Sequence, residues 1–242
     1  MVVANRKRPG WVMEHMEHRA TEETVRFLSG LDPEISARMD EVLERRTRFL
    51  TVVAEDLYQP HNGAAVIRAC ECFGVQDLYA MPRTNHFQVS EEVVSGASQW
   101  VDVHGVTEPD PANTQKTISA LKEKGYRIGA TTLREGCIPI SEVPTHEKLA
   151  LCFGAEERGL SEEAHDLADF YVRIPMYGFT QSFNISVSVA ICLFDWTVRL
   201  RSSQAPWQLS AEEKLKLKAQ WLLKYLPEGP SQLEAFLAGK GP

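Results

Sequence analysis

Three short segments of this 242-residue chain gather side chains able to hold a ligand: PHNGAAVIRACECFG at 60–74, FGAEERGLS at 153–161 and IPMYGFTQSFNIS at 174–186. Asn62, Ser182 and Asn184 bring amides and a hydroxyl beside expected helix starts, Arg68 brings a fixed cationic fork and Glu156 a carboxylate. Gly154 and Gly178 leave room for backbone to approach a bound molecule. Singly, each has a plain structural use: the Asn and Ser residues as helix N-caps, Arg68 on a helix surface, Glu156 in a solvated loop. Together at one edge of a sheet, they make a pocket suited to a nucleotide-like ligand.

Other chemistries find little footing. The chain has no GxxxxGK[ST], no GxGxxG after a strand, no HExxH and no GxSxG. His15 and His18 stand three apart, but no third ligand follows at metal spacing, so no metal is expected. The five cysteines are scattered, with no CxxC pair, and read as buried thiols. The first residues lack the apolar stretch of a signal peptide, and the apolar run from Ile185 to Leu200 is interrupted by Asp195. A membrane partner is therefore not expected and a cytoplasmic location is.

The elements that must position the three segments follow from local signals. Asp32-Pro33 opens a helix running to about Phe49. LTVVAEDL at 50–57 is a buried strand, and a helix over 62–73 follows, with Asn62 as N-cap and Gly74 closing it. Strands are expected at Asp77–Met81, near Trp100–Val106, at Tyr126–Thr132, Leu149–Phe153 and Phe170–Ile174. Helices are expected over 113–124, 161–168, 182–203, 210–225 and 230–238. Strands alternating with helices through 50–203 predict an α/β fold, a mostly parallel sheet with helices on both faces. Ligands of such sheets bind beyond the carboxyl ends of the strands, where all three segments fall. The expected organisation is a basic tail and helical extension over 1–49, a catalytic domain over 50–203 and a helical C-terminal extension over 204–242.

The net charge of −7 weighs against a nucleic-acid partner, but its distribution is uneven. Residues 1–50 hold nine basic and nine acidic residues, 51–198 hold ten and twenty, and 199–242 hold seven and four. The bases gather towards the ends, with clusters at Arg6-Lys7-Arg8 and at Arg45, Arg46 and Arg48. That is a pattern of basic arms able to touch a polyanion.

The three segments resemble the three motifs of the SpoU/TrmH branch of the SPOUT RNA methyltransferases, over roughly residues 34–203. The matching positions are Asn62 and Arg68; Gly154, Glu156 and Gly159; and Ile174, Pro175, Met176, Gly178, Ser182, Asn184 and Ser186. Phe183 and Ile185 stand where Leu and Val are usual, and both swaps stay apolar. The resemblance implies a deep trefoil knot in the C-terminal part of the sheet, a homodimer, and S-adenosylmethionine held by Leu133, Gly154, Glu156, Ile174, Met176, Ser182 and Phe183. It implies methyl transfer to a ribose 2′-OH, with Arg68, Asn62, Glu156, Ser182 and Asn184 as the catalytic set.

The helical extensions at both ends are similar to those of members acting on guanosine 18 in the D-loop of tRNA. Phosphate contacts are then expected from Arg45, Arg46, Arg48, Lys214, Lys216 and Lys218. Ribosomal RNA, a tRNA wobble nucleotide, and a non-catalytic RNA-binding role on the same fold are the alternatives.

Overall fold

The computed structural model describes residues 21–90, 96–105 and 108–239. The Arg6-Lys7-Arg8 cluster, His15 and His18 lie outside the described residues. The chain forms two compact units, one of residues 46–208 and one built from residues up to 45 together with those from 209 onward.

The larger unit is α/β. Its strands are β1 (Leu50–Glu55), β2 (Asp77–Met81), β3 (Asp102–Gly105), β4 (Arg127–Thr131), β5 (Ile138–Pro139), β6 (Leu149–Phe153) and β7 (Phe170–Arg173). They form one seven-stranded sheet in the order β3-β2-β1-β6-β4-β7-β5, and every pairing is parallel. Numbering its helices after the two that precede β1, the unit holds α3 (Pro60–Phe73), α4 (Ala112–Glu123), α5 (Glu162–Leu167) and α6 (Ile185–Arg201). All residues of β1 and β6 are buried, as continuous apolar strands covered on both faces must be. One core holds Leu50, Val52, Ile67, Val189 and Trp196 on the α3/α6 face. The other holds Val53, Ile118, Leu121, Ile128 and Cys152 on the α4 face. Each such Val or Leu contributes about 1.5–3 kcal/mol by leaving water.

The smaller unit is helical: α1 (Glu22–Leu31), α2 (Pro33–Leu43), α7 (Ala211–Tyr225) and α8 (Gly229–Leu237). Thr21 and Ser210 close capping boxes on α1 and α7, and Asp32 caps α2 ahead of Pro33. Phe27 and Phe236 stack at 4.2 Å between centroids. Lys218 reaches Asp40 at 2.6 Å and Lys214 reaches Glu44 at 2.7 Å, fastening α7 to the end of α2.

Several expected boundaries move. The helix from Pro33 stops at Leu43, and Thr47 instead bridges to Val75 and Gln208. The helix expected over 62–73 starts two residues earlier, at Pro60, whose fixed φ suits a first helical position. Gly74 closes it in the left-handed region, φ 75°. Cys70 and Cys192 are buried, and burial pushes their thiols up to about 12, whereas Cys72 is exposed.

The carboxyl end of β1 carries two acidic residues with separate tasks. Glu55 is buried, and its carboxylate accepts from the Ser161 N–H at 2.7 Å, the Ser161 hydroxyl at 2.8 Å and the Thr114 hydroxyl at 2.6 Å. Asp56, at φ 57°, accepts from the backbone N–H groups of Arg83, Thr84 and Asn85 and from the Thr84 hydroxyl. Burial alone would raise the Asp56 carboxyl, but those hydrogen bonds outweigh it and hold the group below its ordinary range.

Asp56→Asn keeps a side chain that tolerates the left-handed backbone and removes the charge. It should cost roughly 1–3 kcal/mol at pH 7, read from urea unfolding. The folded carboxyl titrates below the unfolded one. Its contribution is therefore complete above the unfolded value of about 3.9 and disappears as the pH falls through the lower folded value. The gap between wild type and variant should close in acid, and a gap of equal size at pH 7 and pH 3 would contradict this account.

Candidate functional site

Asn62 sits in the first turn of α3, and its helical position decides its use. Because the helix starts at Pro60 with Gln59 as its N-cap, Asn62 is the third helical residue and not the cap expected from the sequence. Its side chain turns inward and is buried. The amide N–H donates to Glu156 Oε1, and its carbonyl oxygen accepts from Asn184 Nδ2 at 3.2 Å. Asn184 is the N-cap of α6, its Oδ1 accepting from the Ser186 N–H at 2.9 Å and the Ser186 hydroxyl at 2.6 Å. A continuous polar chain Glu156–Asn62–Asn184–Ser186 therefore ties the three segments together.

The second segment folds tightly on itself. Gly159 N–H donates to Ala155 O at 2.8 Å, with Gly159 at φ 66°. A Cβ on Gly154 would stand 2.0 Å from the Gly159 carbonyl carbon and 2.1 Å from Leu160 N. Gly154 was expected to admit a ligand to the backbone. Its missing side chain admits its own loop. Ser161 follows as N-cap of α5, held by Glu55.

Between the second and third segments lies a cavity of about 410 Å³ at the carboxyl edge of the sheet. Leu133, Gly154, Glu156, Ile174, Met176, Ser182 and Phe183 all line it. The size falls within the range of small-molecule sites, about 300–1,000 Å³. The lining is mixed. Leu133, Phe153, Ile174, Met176 and Phe183 offer an apolar surface, Glu156, Glu157 and Glu162 are anionic, and Arg134, Arg158 and Arg173 are cationic. Arg134 is ion-paired to Glu162. His165, buried at the back, makes ring-nitrogen hydrogen bonds to Ser161 O at 2.8 Å and to the Thr132 hydroxyl at 3.1 Å.

Arg68 does not line this cavity, and neither do Asn62 and Asn184. Arg68 is exposed on α3, six residues beyond Asn62. Ala65, Ala69 and Phe73 of the same helix form one wall of an apolar groove, with Val187, Ala190, Ile191 and Phe194 of α6 opposite.

The residues expected to meet phosphate are placed unequally. Arg45 is exposed. Arg46 is a correction: it is 1% exposed, donates to Glu71 O at 3.4 Å and lies 3.6 Å from the Glu71 carboxylate. Burial lowers its pKa, so its charge is spent inside the fold. Arg48 lies at the amino edge of the sheet, away from the cavity. It is ion-paired to Asp77 and, at 2.8 Å, to Asp102. Burial pushes the Asp77 carboxyl up, but His104 at 2.7 Å and Arg48 together hold it low. Lys214, Lys216 and Lys218 carry ion pairs to Glu44, Glu212 and Asp40.

Sequence reasoning missed Glu55, Arg83 and His165. Glu55-Asp56, a pair of acids ending an apolar strand ahead of the first segment, was the available signal for the first. Arg83 (to Glu163 at 2.9 Å and Thr114 at 2.7 Å) and His165 depend on tertiary neighbours and gave no local sign.

The chain matches the SpoU rRNA Methylase family over residues 49–194. It is 40% identical over 192 residues to the tRNA (guanosine(18)-2′-O)-methyltransferase of Borreliella burgdorferi, covering 79% of this chain and 84% of the relative. It is 38% identical over 190 residues to the enzyme of the same name from Thermus thermophilus, covering 77% and 95%. Among solved structures, that of the A. aeolicus TrmH/SpoU tRNA modifying enzyme aligns with a TM-score of 0.69 at 31% identity, covering 79% of this chain and 96% of the other.

Gly154→Ala should cost roughly 1–3 kcal/mol, since backbone must move to accept the new methyl. Amide exchange should quicken at residues 155–160 while β1 stays protected. Exchange unchanged at 155–160 would show that the loop has slack the geometry denies.

Proposed function

This chain belongs to the SpoU rRNA methylase family, and from that premise we propose that it transfers a methyl group from S-adenosylmethionine to the 2′-OH of guanosine 18 in tRNA. The carrying observation is the Glu156–Asn62–Asn184 hydrogen-bond chain, which ties the first motif segment to the second and third, the two that line the cavity. The relatives named for guanosine 18 of tRNA span most of their own length in this chain, which supports the choice of substrate.

The cavity's lining fits S-adenosylmethionine on three counts. The apolar residues offer a surface for an adenine ring, Glu156 and Glu157 offset a cationic sulfonium, and Arg158 and Arg173 suit a carboxylate. When bound, the cofactor supplies a methyl on sulfur whose leaving group is a neutral thioether, so no acid is required. The remaining work is positioning, and the motif loops do it. Glu156 and Asn184 are fixed through Asn62, so the cavity is shaped before substrate arrives, and Ser182 supplies a hydroxyl on its lining.

The ribose hydroxyl must lose its proton to solvent as the new C–O bond forms. Arg68 stabilises the developing alkoxide. A guanidinium stays charged across the working pH range, so its role is electrostatic and not that of a base.

We place the cavity and Arg68 in one site through a homodimer. Val187, Phe194 and Val198 stand 43%, 61% and 51% exposed along one face of α6, beside the groove that α3 borders. A second copy seated there buries this stripe and brings α3 of each copy to the interface. We also assign the knot. β7 pairs with β4 on one side and β5 on the other, so the 132–137 connection crosses its end. The chain leaving β7 then returns to pack α6 against α3. The segment 174–184 threads that connection in our reading. Arg45, Lys214, Lys216 and Lys218 are the proposed phosphate contacts, each lysine exchanging its carboxylate partner for RNA. No helix among the described residues is long and apolar enough to cross a membrane; a cytoplasmic location is part of the same proposal, since that is where tRNA is modified.

Tritiated methyl transfer to an unmodified tRNA transcript should label wild-type tRNA and leave a transcript with guanosine 18 replaced unlabelled. Label on ribosomal RNA or at the wobble nucleotide alone would overturn the substrate. Arg68→Ala should abolish transfer while S-adenosylmethionine still binds by calorimetry, and retained turnover would remove Arg68 from the mechanism. Phe194→Asp should shift the sedimentation coefficient towards that of a monomer and cost activity with it. A variant that stays dimeric would place the interface elsewhere.

A further inference from the structure

Tyr177 and Phe179 have no part in anything described above. They stand on the 174–184 loop between Met176 and Gln181, which line the cavity, yet neither of them lines it. Their side chains are 98% and 109% exposed. A Cβ built on Gly178 between them meets nothing within 4 Å, so the tip of the loop is open. Tyr58, on the connection that follows β1 at the same carboxyl edge, is 68% exposed. An aromatic ring left in water forgoes the burial that would stabilise a fold. Three at one sheet edge mark a surface whose partner is not in the isolated chain.

The reaction specifies the partner. A ribose 2′-OH can meet the cavity only if its nucleotide approaches the rim, and the base joined to that ribose then lies against the rim loop. Bases that leave their stack in RNA are commonly received on aromatic side chains, which replace the lost stacking. The apolar groove between α3 and α6 includes neither Tyr177 nor Phe179 among its walls. The two rings therefore lie outside the groove assigned to the second copy.

We infer that Tyr177 and Phe179 form a stacking platform for the base of the nucleotide being methylated, with Tyr58 as its outer flank. This rests on the RNA methyl-transfer reading.

Leu substitutions test it, because Leu satisfies an apolar protein contact but offers no π-face. Tyr177→Leu/Phe179→Leu should raise KM for the tRNA transcript by roughly tenfold or more, with S-adenosylmethionine affinity and sedimentation unchanged. Tyr177→Trp/Phe179→Trp should restore it. A transcript carrying 2-aminopurine at position 18 should fluoresce more strongly when bound to the Leu variant than to wild type, because stacking on the rings quenches the free base. If wild type methylates tRNA but the Leu variant keeps its KM and its quenching, the platform is wrong and the methyltransferase reading stands. If the Leu variant falls apart into monomers, the rings are a protein contact. If wild type methylates no RNA, both readings fall.

Discussion

Burying an amide obliges a protein to satisfy both its ends, and the site depends on that obligation at Asn62. The side chain is enclosed at the start of α3, and its donor and acceptor have partners 94 and 122 residues further along the chain. Leaving either end unmade would cost about 1–3 kcal/mol. The folded state therefore keeps Glu156 and Asn184 at fixed positions on either side of α3. A cavity built from loops would otherwise have to be ordered anew at each binding event. Here the order is established when the fold forms.

Two adjacent carboxylates extend the same economy to the neighbouring loops. Glu55 holds the start of α5 through Ser161, while Asp56 gathers three successive backbone N–H groups at 83–85. The left-handed backbone at Asp56 turns the chain as the strand ends, and the two carboxylates there serve two different loops. Glycines do the complementary work by omission. Gly154 lets the second segment close on itself, and Gly63 leaves space for Gln88 O, which a Cβ would approach to 2.8 Å.

How much of this was legible depended on whether the cause was local. Asp32-Pro33 and Gly74 announced helix ends because caps act within a few residues, and β1 and β6 stood out as apolar runs. The start of α3 was misjudged because Asn62 has the chemistry of a cap, while Pro60 two residues earlier has the geometry of a first turn. Strand β5 is two residues long, below what any period can reveal. Arg46 looked like a surface base beside Arg45 and Arg48, and only its neighbour Glu71, in a different element, accounts for its burial. The residues alone pointed to a nucleotide-like ligand. Methyl transfer came from the family resemblance, since nothing in the types of Asn62, Glu156 or Asn184 names a sulfonium.

The position of β6 bears on how the protein is made. It lies between β1 and β4, and β1 has no other neighbour on that side. During synthesis β1, β2 and β3 can pair as soon as they emerge. The inner edge of β1, an apolar strand destined for the centre of the sheet, then waits until residue 153 has left the ribosome. For that interval the nascent chain carries an open, unpaired edge of the kind that invites pairing with other chains. Closure of the β1 edge by β6 and closure of the Asn62 amide onto Glu156, three residues past β6, are thus bound to the same late moment. The cavity lined by Gly154 and Glu156 cannot exist on a chain that has not passed it.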